Sequence, residues 1–121
     1  MESPKNPQQQ NESEIEGMIK DYQVVQAQMR NLAMQVDQYQ AQRSEVDSAK
    51  TELDKAEGKI YVTIGGIMVE TDKASAIKNV QEKIELLEIR LQASTKQYNE
   101  LKAREKALRE KLTAISKQEP K

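Results

Sequence analysis

The groups available for chemistry are carboxylates, lysines, arginines and four tyrosines, because the 121-residue chain contains no His and no Cys. Without imidazole or thiolate there is no neutral-pH base, sulfur nucleophile, zinc-finger ligand set, haem ligand or disulfide framework. Acid–base or metal chemistry would have to run on closely spaced carboxylates such as Glu45 with Asp47, or Glu85 with Glu88. Such pairs become catalytic only where a concave site drives their pKa values apart. The stretch Lys102-Ala-Arg-Glu-Lys-Ala-Leu-Arg-Glu-Lys111 offers cations, but Glu105 and Glu110 interleave it and no aromatic residue lies within it to stack on a base. Lys plus Arg is 19 against 20 Asp plus Glu, a net charge of −1, so no basic field attracts a phosphate backbone and nucleic acid is not an expected partner.

Whether any of these groups converge depends on the elements that carry them. Only 36% of the residues are apolar and 32% are charged, against roughly 45–50% and 25% in an average domain. Ordering a chain costs about 1–2 kcal/mol per residue, so a compact globule with one core is not expected. Pro4, Pro7 and Pro120 all sit at the ends, leaving the interior open to long helices. Three of the four glycines, Gly58, Gly65 and Gly66, fall in one central window, where the architecture should change. Residues 1–12 read as a polar, disordered tail rich in Gln and Asn, and Ser13-Glu14-Ile15-Glu16 fits a capping box that would start a helix.

From there heptads count cleanly. Position a falls on Ile15, Tyr22, Met29, Val36, Arg43, Lys50 and Glu57, and d on Met18, Val25, Leu32, Tyr39, Val46 and Leu53. A helix is expected from about 13 to 57. A second count follows the N-cap candidate Asp72, with a at Ile77, Ile84, Leu91, Tyr98, Glu105 and Leu112, and d at Val80, Leu87, Ser94, Leu101, Leu108 and Ile115. Only one stripe of each segment is apolar, which is the pattern of a coiled-coil seam. Both segments come to about 65 Å at 1.5 Å per residue. A short connection makes them an antiparallel pair, which brings Arg43 and Lys50 toward Glu85 and Glu88.

The connection itself is not coiled coil. Ile60-Tyr-Val-Thr-Ile-Gly-Gly-Ile-Met-Val-Glu-Thr71 is β-branched with period two and broken by Gly-Gly, the sequence of a hairpin with a primed two-residue turn at about 59–71. Ile64 should pair with Ile67, Val62 with Val69 and Ile60 with Thr71, giving one aliphatic face. A lone two-stranded hairpin is marginal in water, and its bare face and edges invite aggregation. Closure with hairpins of other chains into a sheet or barrel would remove both liabilities. Ile60, Tyr61, Val62, Ile64, Gly65, Gly66, Ile67, Met68 and Val69 are therefore expected at an oligomer interface. The alternative is a hairpin packed down on its own helix ends.

A helix, a single hairpin carrying Tyr61-Val-Thr-Ile-Gly-Gly-Ile-Met-Val-Glu70, and a second helix carrying Gln81-Glu-Lys-Ile-Glu-Leu-Leu-Glu-Ile-Arg-Leu91 together resemble the β-class subunit of prefoldin over about residues 13–117. The resemblance implies a mainly α fold, an antiparallel two-helix coiled coil whose hairpins assemble between chains into a β-barrel platform. It implies a heterohexamer of two α-class and four β-class subunits acting as an ATP-independent chaperone. Non-native or nascent polypeptides would be held at the coil tips and passed to a group II chaperonin, contacted by the charged C-terminal end through Lys117 and Lys121. No cofactor is implied.

At the far end of the coil, Ile15, Met18, Ile19, Tyr22, Leu108, Leu112 and Ile115 are the expected client-binding set. Most are also the last a and d layers, so closing the coil is the competing role. Gly17 weakens the first turns by about 1 kcal/mol relative to Ala, and Ile19 lies off the seam. No stretch approaches the ~18 apolar residues of a membrane span, and the start of the chain carries no apolar signal region, so a cytoplasmic protein without a membrane partner is expected. The second functional reading is an adaptor coiled coil that oligomerises through its hairpin and binds one fixed partner.

Overall fold

The computed structural model describes residues 7–118. Two long helices, α1 (Pro7–Lys55) and α2 (Lys73–Gln118), flank two strands, β1 (Ile60–Ile64) and β2 (Ile67–Thr71). The strands form one antiparallel sheet in the register the sequence dictates, with Ile60 opposite Thr71, Val62 opposite Val69 and Ile64 opposite Ile67.

The heptads account for what is protected. In α1 every a and d residue from Ile15 to Leu53 is at least half-buried, and in α2 so is every one from Ile77 to Ile115. Off the seam, among the residues whose burial is described (11–117), Gln26, Ala27 and Ala33 in α1, and Ala76 and Glu88 in α2, share that protection. Val25 (2% exposed) and Leu87 (7%) are the most deeply packed large seam residues, and full burial of such side chains contributes about 1.5–3 kcal/mol each. Most of the seam stays only half-buried, because two helices alone can cover each other on one side.

The chain divides into two compact units, each holding a piece of both helices. In the first, residues 7–34 and 96–118, Tyr22 meets Glu105, while Met29 and Tyr98 line one groove and Leu32 and Leu101 another. In the second, Gln35–Thr95, Arg43 meets Glu88 and the end of α1 meets Lys73. From Tyr22 with Glu105 to Met29 with Tyr98 in the first unit, and from Arg43 with Glu88 to Asp54 with Lys73 in the second, the partners descend along α2 as they rise along α1, so within each unit the helices are antiparallel.

Three expectations shift. The helix begins at Pro7, so residues 7–12, expected as disordered tail, are helical. Proline suits the first helical position, where its missing amide costs nothing and its φ is already set. The Ser13-to-Glu16 box thus lies inside a running helix rather than at its start. The rest of the expected tail, residues 1–6, and residues 119–121 lie outside the described residues. At the other end α1 stops at Lys55, two residues short of Glu57. Lastly, of the two seam cations only Arg43 reaches Glu88, with Nη2 2.8 Å from Oε1. Among the described residues Lys50 makes no ion pair.

Candidate assembly and client-binding surfaces

The hairpin is set by backbone conformations that only glycine adopts cheaply. Gly65 (φ 56°) and Gly66 (φ 83°) occupy the two left-handed positions of a type I′ turn, whose twist matches that of the flanking strands. Alternation then places Ile60, Val62, Ile64, Ile67, Val69 and Thr71 on one face, and Tyr61, Thr63, Met68 and Glu70 on the other.

Protection is uneven along this sheet. Ile60, Val62 and Thr71, at its base, are half-buried within the chain. Toward the turn Ile64 is 61% exposed and Ile67 67%, and Met68 on the other face reaches 69%. Tyr61 and Val69 are exposed as well. Packing on the chain's own residues thus covers the base of the aliphatic face and leaves its outer half bare. Among the described residues the sheet has two strands, so each also offers one unpaired edge.

Both connections between sheet and helices are tied by side chains. Asp72 caps α2: its carboxylate accepts from the Ser75 amide at 2.7 Å and from the Ser75 hydroxyl at 2.9 Å. Those two hydrogen bonds, the amide's first, hold the Asp72 carboxyl below its ordinary value. The neighbouring Lys73 donates from Nζ to the Asp54 carbonyl at 2.9 Å and, more weakly, to that of Ala56 at 3.4 Å. The Asp72 cap was legible in the sequence. Lys73 was not, since nothing local marks a lysine that reaches a carbonyl nineteen residues back.

In the first unit the seven residues expected to bind clients divide in two. Ile15, Met18, Tyr22, Leu108, Leu112 and Ile115 are half-buried seam residues, whereas Ile19 points away from the seam and is 44% exposed. Tyr22 and Leu112 come together in a shallow groove with Arg109 and Thr113. Half-burial alone does not separate these end layers from the rest of the seam. Ile19 is what this end adds.

A polar layer crosses the seam beside them. The Tyr22 hydroxyl donates to Glu105 Oε1 at 3.0 Å, and Arg109 Nη1 stands 3.8 Å from the same oxygen. Glu105 occupies an a position with its side chain only 13% exposed, so the tyrosine and arginine supply the partners a covered carboxylate requires. Donation to Glu105, with burial adding to it, pushes the Tyr22 hydroxyl above its ordinary pKa, and Arg109 pulls the other way. The heptad count places Glu105 at an a position; its pairing with Tyr22 needs the antiparallel register.

Two long helices joined through one aliphatic hairpin are the frame of a particular class of chaperone subunit, and comparison with known proteins agrees. A family model described as "Prefoldin subunit" matches residues 16–119, so the chain belongs to the prefoldin family of chaperones. It is similar to the prefoldin subunit beta of Thermococcus onnurineus, 33% identical over 101 residues that cover 82% of this chain and 87% of that one. Similarity to the prefoldin subunit beta of Pyrococcus furiosus is 30% over 103 residues, covering 84% and 88% respectively. Among solved structures, the crystal structure of the prefoldin beta subunit from Thermococcus strain KS-1 superposes with a TM-score of 0.80 at 27% identity, covering 88% of this chain and 95% of that one. The chain is thus a prefoldin chaperone subunit, a component of an oligomeric complex with other subunits.

Proposed function

We propose that the chain acts as a β-class subunit in a heterohexamer of two α-class and four β-class subunits, joined by barrel closure of their hairpins. The complex captures non-native or nascent polypeptides without ATP and delivers them to a group II chaperonin in the cytoplasm. The observation that carries the assembly half is the bare outer hairpin, where Ile64, Ile67 and Met68 are each more than 60% exposed beside two unpaired strand edges. Other hairpins offer the same chemistry in return, so closure covers apolar area and edges at once. Ile60, Tyr61, Val62, Ile64, Gly65, Gly66, Ile67, Met68 and Val69 are the assembly residues in this reading.

Capture rests on Ile15, Met18, Ile19, Tyr22, Leu108, Leu112 and Ile115. These are half-buried or exposed apolar groups of the unit that does not contain the hairpin. Thioether and aliphatic side chains adapt to varied partners, and several weak contacts shared among subunits give retention that one contact cannot. The test replaces Met18, Ile19 and Ile115 together by Ser in the assembled complex. Each lost apolar contact removes about 1 kcal/mol or more, so protection of a denatured client against aggregation should fall severalfold at unchanged oligomer mass. Unchanged protection would make these residues coil core and favour an adaptor that binds one fixed partner.

A further inference from the structure

We infer that Lys73 is a positioning residue for assembly: reaching from α2 across the base of the hairpin, it caps the C-terminus of α1 and fixes how the hairpin leaves the helix pair.

The last four carbonyls of a helix have no intrahelical amide to accept from. At the end of α1 the Leu53 carbonyl is met by the Ala56 amide at 3.2 Å. The Asp54 carbonyl is met by Lys73 Nζ at 2.9 Å, and the same ammonium group lies 3.4 Å from the Ala56 carbonyl, beyond the helix end. Lys73 therefore holds both the last turn of α1 and the first residue of the connection to β1.

The placement is informative because it is unfavourable for the helix that carries it. Lys73 is the first residue of α2, whose first turn contains no acidic residue, and a cation there opposes the helix macrodipole. The same charge is favourable at the carbonyl end of a helix, and α1 supplies that end. Asp72, immediately before it, offsets the cost to α2 by capping the helix with a carboxylate held in its charged form by Ser75. Asp72 and Lys73 thus form a two-residue clasp, the first tying the hairpin's exit to α2 and the second tying the hairpin's entrance to α1.

Between the entrance and β1 lies Gly58 at φ 91°, with open space where its Cβ would be. A connection that contains glycine and whose one half-buried side chain is the methyl of Ala56 has little packing of its own to fix its direction. The lysine contact supplies that constraint. A hairpin held in one direction before it meets its partners loses less freedom on association than one that swings, so the clasp raises assembly affinity without touching the partner.

This inference rests on the hairpin being the assembly element, and the experiment separates the two. Full-length wild type, Lys73→Met and Lys73→Arg are compared by amide exchange of the unassembled chain and by assembly with an α-class prefoldin subunit across a salt series. Lys73→Met should raise exchange in residues 56–64 and weaken assembly about tenfold at low salt, in proportion to loss of a charge-assisted hydrogen bond. The deficit should shrink in 1 M NaCl, where a charge–carbonyl contact is screened even in wild type, while far-UV melting of the helices stays close to wild type. Lys73→Arg, which keeps the charge, should recover most of the affinity. Unchanged exchange at 56–64, or wild-type assembly by Lys73→Met at low salt, overturns the inference. Raised exchange together with an assembly insensitive to hairpin substitutions overturns it too, and places the fault in the hairpin reading rather than in the clasp.

Discussion

Ile67→Asp separates what the hairpin does for the single chain from what it does between chains. Ile67 is 67% exposed and Ile64, its cross-strand partner, 61% exposed. An aspartate at 67 therefore keeps its water in the isolated chain, and the cost there is confined to strand preference and one cross-strand pair, about 1 kcal/mol or less. In a closed barrel the same position becomes covered. Roughly two thirds of the 1.5–3 kcal/mol that burying an isoleucine contributes is then forfeited per hairpin, and a carboxylate without a partner adds several kcal/mol more. Together these correspond to a loss of at least a hundredfold in assembly affinity. Circular dichroism of the chain alone should give wild-type helicity and a melting temperature within a few degrees. Light scattering after mixing with an α-class subunit should give mainly unassembled mass. An Ile67→Asp chain that assembles at the wild-type mass and concentration would refute closure through this face. Val62→Asp is a less clean probe, because Val62 is already half-buried within its own chain.

Other consequences follow from individual contacts. Gly17 lies within α1 and nothing stands within 4 Å of where a Cβ would be, so Gly17→Ala should stabilise the first turns by up to about 1 kcal/mol, read as increased helicity. Asp72 is held below its ordinary pKa in the folded chain, so its contribution is present above the ordinary carboxylate value and is lost as pH falls through the lowered one. An acid titration of amide exchange in the first turn of α2 should show this, and Asp72→Ala should flatten it. Tyr22 is held above its ordinary pKa, so its contribution is present below the ordinary tyrosine value and disappears as pH rises through the raised one. Tyr22→Phe should remove that alkaline step from the melting curve.

Much of this architecture is readable from spacing because one seam does the packing. Every a and d position from Ile15 to Leu53 and from Ile77 to Ile115 is protected, polar members such as Arg43, Ser94 and Glu105 included. The Gly65-Gly66 turn likewise fixes the hairpin register, since two left-handed residues in a row leave one way to pair the strands. The start of α1 was not readable, because Ser13 to Glu16 satisfies the capping pattern while Pro7 satisfies the first-position preference, and local propensity does not choose between two valid starts. Contacts between distant residues, Tyr22 with Glu105 and Lys73 with the Asp54 carbonyl, depend on how the helices are placed side by side. Periodicity within one helix carries no record of either. Nor does it separate Ile15 or Ile115 as coil layers from the same residues as a capture surface, because one apolar stripe serves both.

The central claim, a nucleotide-independent chaperone subunit, is tested most directly by diluting two unrelated denatured proteins into the chain assembled with an α-class partner, without ATP, and following light scattering. The account predicts that aggregation of both is suppressed at near-stoichiometric amounts of complex. Suppression of neither, or of one client alone, would contradict it.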